Sequence, residues 1–203
     1  MTAKPMVSAI TLTTGDGKTL DADLAINHDA VGGLVLCHPH PLYGGSRHDA
    51  VIGAVWDAAL EAGLSAIRFD FRRDHDQGNA ERHDVGAAIQ VLAPSPVIIV
   101  GYSFGSYVGL RVDAPSVAGW VAIAPILHAS EHAAGHDVRP TLLLSPRHDQ
   151  YATPASVQGR TTTWKSTTFL ELASADHFLA GHHREVAERA VEFARAALGN
   201  DVS

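Results

Sequence analysis

"VIIVGYSFGSYVGL", residues 97–110, runs branched aliphatic residues into a glycine, sets Ser103 between Gly101 and Gly105, and then turns apolar again. The aliphatic run reads as a buried strand and the residues after Gly105 as a helix. A sharp strand-to-helix turn strains its central residue and leaves no room for side chains two positions to either side, which gives both glycines a steric reason. In that setting G-x-S-x-G holds the Ser103 hydroxyl clear of the sheet, with the first amides of the helix aimed at the same point. A bare G-x-S-x-G is a weak signal. Ser46, Ser106, Ser145 and Ser174 lack the flanking strand and helix that make Ser103 a candidate nucleophile.

Outward from this elbow the chain alternates strand and helix patterns. "MVSAITLTT" and "LDADLAI" flank "GDGK" and read as an antiparallel hairpin. "GGLVLC", "LSAIRFDF", "PVIIVG", "AGWVAIA", "PTLLLS" and "TTFLELA" are short aliphatic runs bounded by glycine or proline, and predict strands buried on both faces. Helical patterns fall at 49–63, 81–93, 105–113 and 182–198, while the polar 72–84 reads as a loop leading into a helix. The expected class is α/β, with a mostly parallel central sheet, an antiparallel N-terminal hairpin and helices on both faces. A chain of 203 residues is the size of one ordinary domain, so 1–203 is expected to form a single unit.

Composition narrows the function. Net charge is −7 at pH 7 and no basic run is present, which argues against nucleic acid as a partner. No stretch approaches the roughly 20 apolar residues of a membrane span, and "MTAKPMVSAI" lacks a signal-peptide core, so a cytoplasmic chain without a membrane partner is expected. The single cysteine, Cys37, can form no intramolecular disulfide and reads as a small buried apolar residue. Of thirteen histidines, six precede an aspartate, at 28, 48, 75, 83, 136 and 148. They sit in predicted loops scattered along the chain without H-E-x-x-H spacing, so neither a metal nor a cofactor is expected.

A serine hydroxyl becomes nucleophilic only when a base removes its proton, and a carboxylate usually orients that base. "PTLLLSPRHDQYATP" puts Asp149 in the loop after one buried strand, and "TTFLELASADHFLAG" puts His177 in the loop after the next. Both loops should open at the strand ends where Ser103 sits. Asp70 also ends a strand but precedes Ser103 and is expected to anchor a loop. Asp176 adjoins His177 and is expected to point away from it. His148 reads as a solvated loop residue, and His182 and His183 begin a helix. Asp149 and His177 are therefore the candidate acid and base. Tyr102 is expected to pack under the turn.

Taken together, "LVLCHPHPLYGGSRHDAV", "AIRFDFRR", "VGYSFGS", "SPRHDQYATP" and "SADHF" resemble the α/β-hydrolase superfamily, in its small uncapped dienelactone-hydrolase-like esterase branch. The resemblance implies an α/β-hydrolase fold without a cap domain, since only "LHASEHAAGHDV" is available where capped relatives insert a lid. It also implies a serine hydrolase cleaving small carboxylic esters through Ser103, His177 and Asp149. Two backbone amides would form the oxyanion hole: that of Phe104, and that of His40 in the "HPHP" turn, where the flanking prolines have no amide hydrogen. Tyr43 or Gly44 could replace His40 if the turn folds differently. Tyr43 and Tyr107 are candidate substrate-binding residues. Two departures bear on substrate. "RRDHDQGNA" stands where many relatives have a glycine-rich stretch, and Ser103 stands where dienelactone hydrolases proper use cysteine. Thioester or amide hydrolysis, acyl transfer, a haloperoxidase-like activity, and a noncatalytic binding role are the competing readings.

Overall fold

The computed structural model describes residues 5–128 and 132–199. Eight strands form one sheet: β1 (Met6–Thr13), β2 (Thr19–Ile26), β3 (Gly33–Cys37), β4 (Ser65–Phe69), β5 (Val97–Tyr102), β6 (Val117–Ile123), β7 (Thr141–Pro146) and β8 (Thr167–Leu172), in the order β1-β2-β4-β3-β5-β6-β7-β8. The hairpin β1–β2 is antiparallel and joins β4 antiparallel, and every pairing from β4 to β8 is parallel.

The helices cover both faces. α1 (Ala50–Glu61) and α6 (His183–Gly199) lie on one, and α2 (Glu81–Leu92) and α3 (Phe104–Gly109) on the other. This is why "VIIV" has no polar alternation: Ile98 and Val100 pack with Ile52 and Val186, while Val97 and Ile99 pack with Val85 and Val108. Each such aliphatic side chain contributes about 1.5–3 kcal/mol on burial.

Strand order reverses beside β3. The chain goes from β3 to β4 on one side, then returns to place β5 on the other. The loops leaving β3 and β5 therefore splay apart and leave a crevice between them, where open α/β sheets bind ligands.

Three expectations need correcting. β8 is an edge strand with alternating exposure, and Leu170 is half-exposed, because only β7 pairs with it. The helix expected over 105–113 runs only from Phe104 to Gly109, because the amides of Arg111 and Val112 turn back to the carbonyls of Val108 and Gly109, three residues behind, and close the helix in tight turns. A helix absent from the expectations, α5 (Pro154–Arg160), follows "DQYATP". Its start is marked by Thr153, whose side chain accepts the Ser156 amide, and by Pro154 in the first turn. The short α4 (Ala133–His136) occupies the expected place of a loop or one short helix, and no lid interrupts the described residues.

Candidate active site

Ser103 lies between the last residue of β5 and the first of α3, with φ 53° and ψ −114°, a region costly for a residue with a side chain. The turn is tight on both sides. A Cβ on Gly101 would lie 2.3 Å from the Gly105 carbonyl oxygen, and one on Gly105 would lie 2.1 Å from that of Cys37. The Ser103 amide donates to the Ile123 carbonyl at 2.9 Å, and the Ser106 hydroxyl donates to the Ser103 carbonyl at 2.6 Å. The strained backbone is thus held from β6 and from within α3.

His177 and Asp149 come to the same point because β7 and β8 are adjacent, parallel and in register to Pro146↔Leu172. Their loops are tied together where the His148 amide donates to the Ala175 carbonyl at 2.9 Å. Asp149 is buried, and its Oδ1 accepts the amides of Tyr151 at 2.8 Å and Ala152 at 2.9 Å. Its Oδ2 faces the His177 Nδ1 at 2.7 Å, and the His177 Nε2 lies 2.9 Å from the Ser103 Oγ. Burial would raise the Asp149 pKa, but the hydrogen bonds from His177 and from these amides outweigh it and hold the pKa below the usual value. A carboxylate that accepts from the Nδ1–H leaves the Nε2 lone pair facing the hydroxyl.

The competing acids and bases are engaged elsewhere. Asp70 accepts the Arg47 amide at 2.8 Å and pairs with the Arg47 guanidinium, so it anchors the loop after β3. Asp176 accepts the Phe178 amide at 3.0 Å, His148 is exposed, and His182 lies 3.1 Å from Glu185.

The loop after β3 is built around His38, which sequence reasoning passed over. Its ring is buried, with Nδ1 donating to the Pro39 carbonyl at 2.6 Å and Nε2 accepting the Phe71 amide at 3.0 Å. A carbonyl can only accept and an amide can only donate, so the neutral Nδ1–H tautomer is required. Burial lowers its pKa, only partly offset by the Pro39 hydrogen bond. Beyond it the chain makes a 3-10 turn, Pro41–Tyr43, so compact that a Cβ on Gly45 would lie 2.1 Å from the Pro39 oxygen. The turn consumes two of the candidate amides: Tyr43 donates to the His40 carbonyl at 3.0 Å and Gly44 to that of Pro41 at 3.2 Å. The amides of His40 and Phe104 have no acceptor among the described residues. Cys37 is fully buried, its pKa raised by burial, and its carbonyl backs onto Gly105.

A cleft of about 550 Å³ opens over Ser103 and His177, bordered by His40, Tyr43, Phe104 and Tyr107 from the expected set. The Phe104 ring itself is mostly buried, 4.7 Å from the His40 ring and 5.5 Å from that of Phe71. Tyr102 does more than pack under the turn. It lines the cleft, and its hydroxyl donates to the His177 carbonyl at 2.9 Å. Tyr151 and Phe178 were not anticipated. Their rings stand 4.7 Å and 5.8 Å from the His177 ring, and both are largely exposed at the cleft mouth. Adjacency was the available signal, since each follows a candidate residue by one or two positions.

The histidine-aspartate pairs divide the same way. Asp49 caps α1, Asp84 is buried with Arg72 at 2.7 Å, Asp137 pairs with Arg139 at 2.6 Å, and Asp149 holds His177. No helix among the described residues is long and apolar enough to cross a membrane.

A strained serine between clearance-limited glycines, a histidine and a buried aspartate on successive loops of a mostly parallel sheet are the framework of an α/β-hydrolase. A profile of the alpha/beta hydrolase family matches residues 34–201, and the chain belongs to that family. An uncharacterised protein of Rickettsia prowazekii is 30% identical over an alignment 105 positions long that covers 45% of this chain and 44% of that protein. The match therefore spans less than half of the relative. The fold is similar to that of a lidless α/β serine hydrolase of Xanthomonas campestris, with TM-score 0.80, 24% identity and coverage of 94% of both chains. It is also similar to that of an esterase of Pyrococcus furiosus, with TM-score 0.80, 18% identity and coverage of 93% of this chain and 90% of the other.

Proposed function

We propose that this chain is a serine hydrolase that cleaves small carboxylic esters with Ser103 as nucleophile, His177 as general base and Asp149 as its orienting acid. The observation that carries the reading is the unbroken path from Asp149 Oδ2 through the His177 ring to Ser103 Oγ, at 2.7 Å and 2.9 Å, ending in an open cleft. Ser103 Oγ attacks the ester carbonyl as its proton passes to His177 Nε2, and Asp149 stabilises the resulting imidazolium. The uncommitted amides of Phe104 and His40 are the donors available to the tetrahedral oxyanion. Loss of one such donor typically costs about 3 kcal/mol of transition-state stabilisation. Collapse expels the alcohol, which takes the proton from His177. Water then attacks the acyl-enzyme with the same histidine as base, releasing the acid and Ser103.

Thioesters, small amides and acyl transfer to another acceptor share the first half of this reaction. The esterase similarity and the lidless cleft favour simple esters, and residues 1–203 are read as one catalytic unit. Labelling with a fluorophosphonate probe, combined with a chain-length series of p-nitrophenyl esters, tests the proposal. Labelling and hydrolysis lost together in Ser103→Ala support it. An unlabelled wild type that cleaves no ester would make the chain a noncatalytic binding protein on a hydrolase scaffold.

A further inference from the structure

The cleft also holds one carboxylate that the proposed triad does not use. Asp49 is one of the residues that line it, as are Tyr43, Tyr102 and Phe178. Its Oδ1 accepts the amides of Val51 at 2.9 Å and Ile52 at 3.3 Å, which caps α1, and its Oδ2 has no partner among the described residues. The helix terminus behind it carries only about half a positive charge, so the unit charge of the carboxylate leaves a net negative site. No lysine or arginine lines the cleft among the described residues. The arginines nearby are committed elsewhere: Arg47 to Asp70, and Arg111 to the Gly78 carbonyl at 3.3 Å and Asn79 at 2.9 Å. Burial and the neighbouring His75 lower the His40 pKa, which disfavours a positive charge on that ring.

Aromatic faces carry negative charge density, and a half-buried carboxylate in the same cleft adds a full charge in a place partly screened from water. Such a site attracts ammonium groups and repels anions. We propose that the Asp49 side of the cleft is a subsite for a positive charge, and that the substrates are esters with a quaternary or protonated amine on one arm. This rests on the serine-hydrolase reading above for the reaction, but not for the binding.

The test is a set of matched esters at fixed ionic strength. Butyrylcholine, with the charge on the alcohol arm, and the ethyl ester of trimethylammoniobutyrate, with the charge on the acyl arm, are each compared with the isostere bearing tert-butyl in place of trimethylammonium. The expected result is a preference of about tenfold in kcat/KM for at least one charged ester over its isostere, the size of a modest cation–π and ion-pair contribution. In Asp49→Asn, which retains a capping side chain, that ratio should fall to about one. If that variant does not fold, Phe178→Leu at the exposed mouth should lower the same ratio. Equal rates for both matched pairs, or a ratio unchanged in the folded variant, overturn the proposal. Should no ester be cleaved, the hydrolase reading fails separately. Calorimetry with millimolar phenyltrimethylammonium then decides the subsite: heat lost in Asp49→Asn upholds it, and no heat with the wild type removes it.

Discussion

The Tyr102 hydroxyl donates to the His177 carbonyl at 2.9 Å, so the last residue of the strand that leads into Ser103 directly holds the loop that carries His177. The two residues are 75 positions apart, and the bond is buried. It acts as a strut that sets the height of the imidazole over Ser103.

Removing only that hydroxyl should separate positioning from packing. Tyr102→Phe keeps the ring and leaves the His177 carbonyl unpaired, a cost of about 1–3 kcal/mol in stability. A small displacement of the base should lower kcat about tenfold while KM changes little. Steady-state kinetics on a p-nitrophenyl ester check this, and a variant that changes only KM would refute the strut.

The elbow glycines differ from glycines in open positions. Gly105→Ala would drive a Cβ to within 2.1 Å of the Cys37 oxygen, which is backbone and cannot swing aside. Destabilisation of at least about 3 kcal/mol, or failure to fold, is expected. Gly53→Ala, inside α1 with nothing within 4 Å of the new Cβ, should instead stabilise by about 0.5–1 kcal/mol. Urea unfolding of both variants measures the contrast.

Asp149→Asn should preserve the loop and spoil the base. The amide oxygen can still accept from Tyr151 and Ala152, but the amide nitrogen would then face His177 Nδ1 and favour the wrong tautomer. If the proposed triad operates, a fall in kcat of about 10⁴ is expected by analogy with serine hydrolases, with a nearly unchanged fold by circular dichroism. Near-native turnover would remove Asp149 from the mechanism.

His38 makes stability depend on pH. In the unfolded chain a histidine takes its proton near pH 6.5, whereas buried His38 resists protonation to lower pH. Above about pH 6.5 both states are neutral and the ring contributes its full stability. As pH falls below that, the unfolded state binds the proton first, and stability declines by at most about 1.4 kcal/mol per pH unit. Buried His132, whose pKa burial lowers to about 4, acts in the same direction. Urea midpoints should therefore drop between about pH 7.5 and about pH 5.5, and His38→Gln should show a smaller drop. Identical slopes in variant and wild type would dismiss His38 as a source.

Local chemistry made part of this molecule legible. Gly101 and Gly105 could be read as steric necessities because the bond angles of a strand-to-helix turn crowd those positions in any chain. Ser103, Asp149 and His177 each follow an aliphatic run, which marks a strand end. Residues whose role comes from a distant partner could not be read. His38 looks like any loop histidine until Phe71, 33 residues away, donates to it. Tyr102 hides its hydroxyl's use for the same reason, and β8 looked buried because its composition does not say which strand lies at the edge.

What the sequence alone determined was the alternation of elements, the strained turn and the candidates for the reactive groups, all set by contacts a few residues long. The tertiary structure decided which amides stay free around Ser103, which rings line the cleft and which carboxylate faces it. Those outcomes depend on strand order and on hydrogen bonds between remote loops, and no local pattern of residues encodes either.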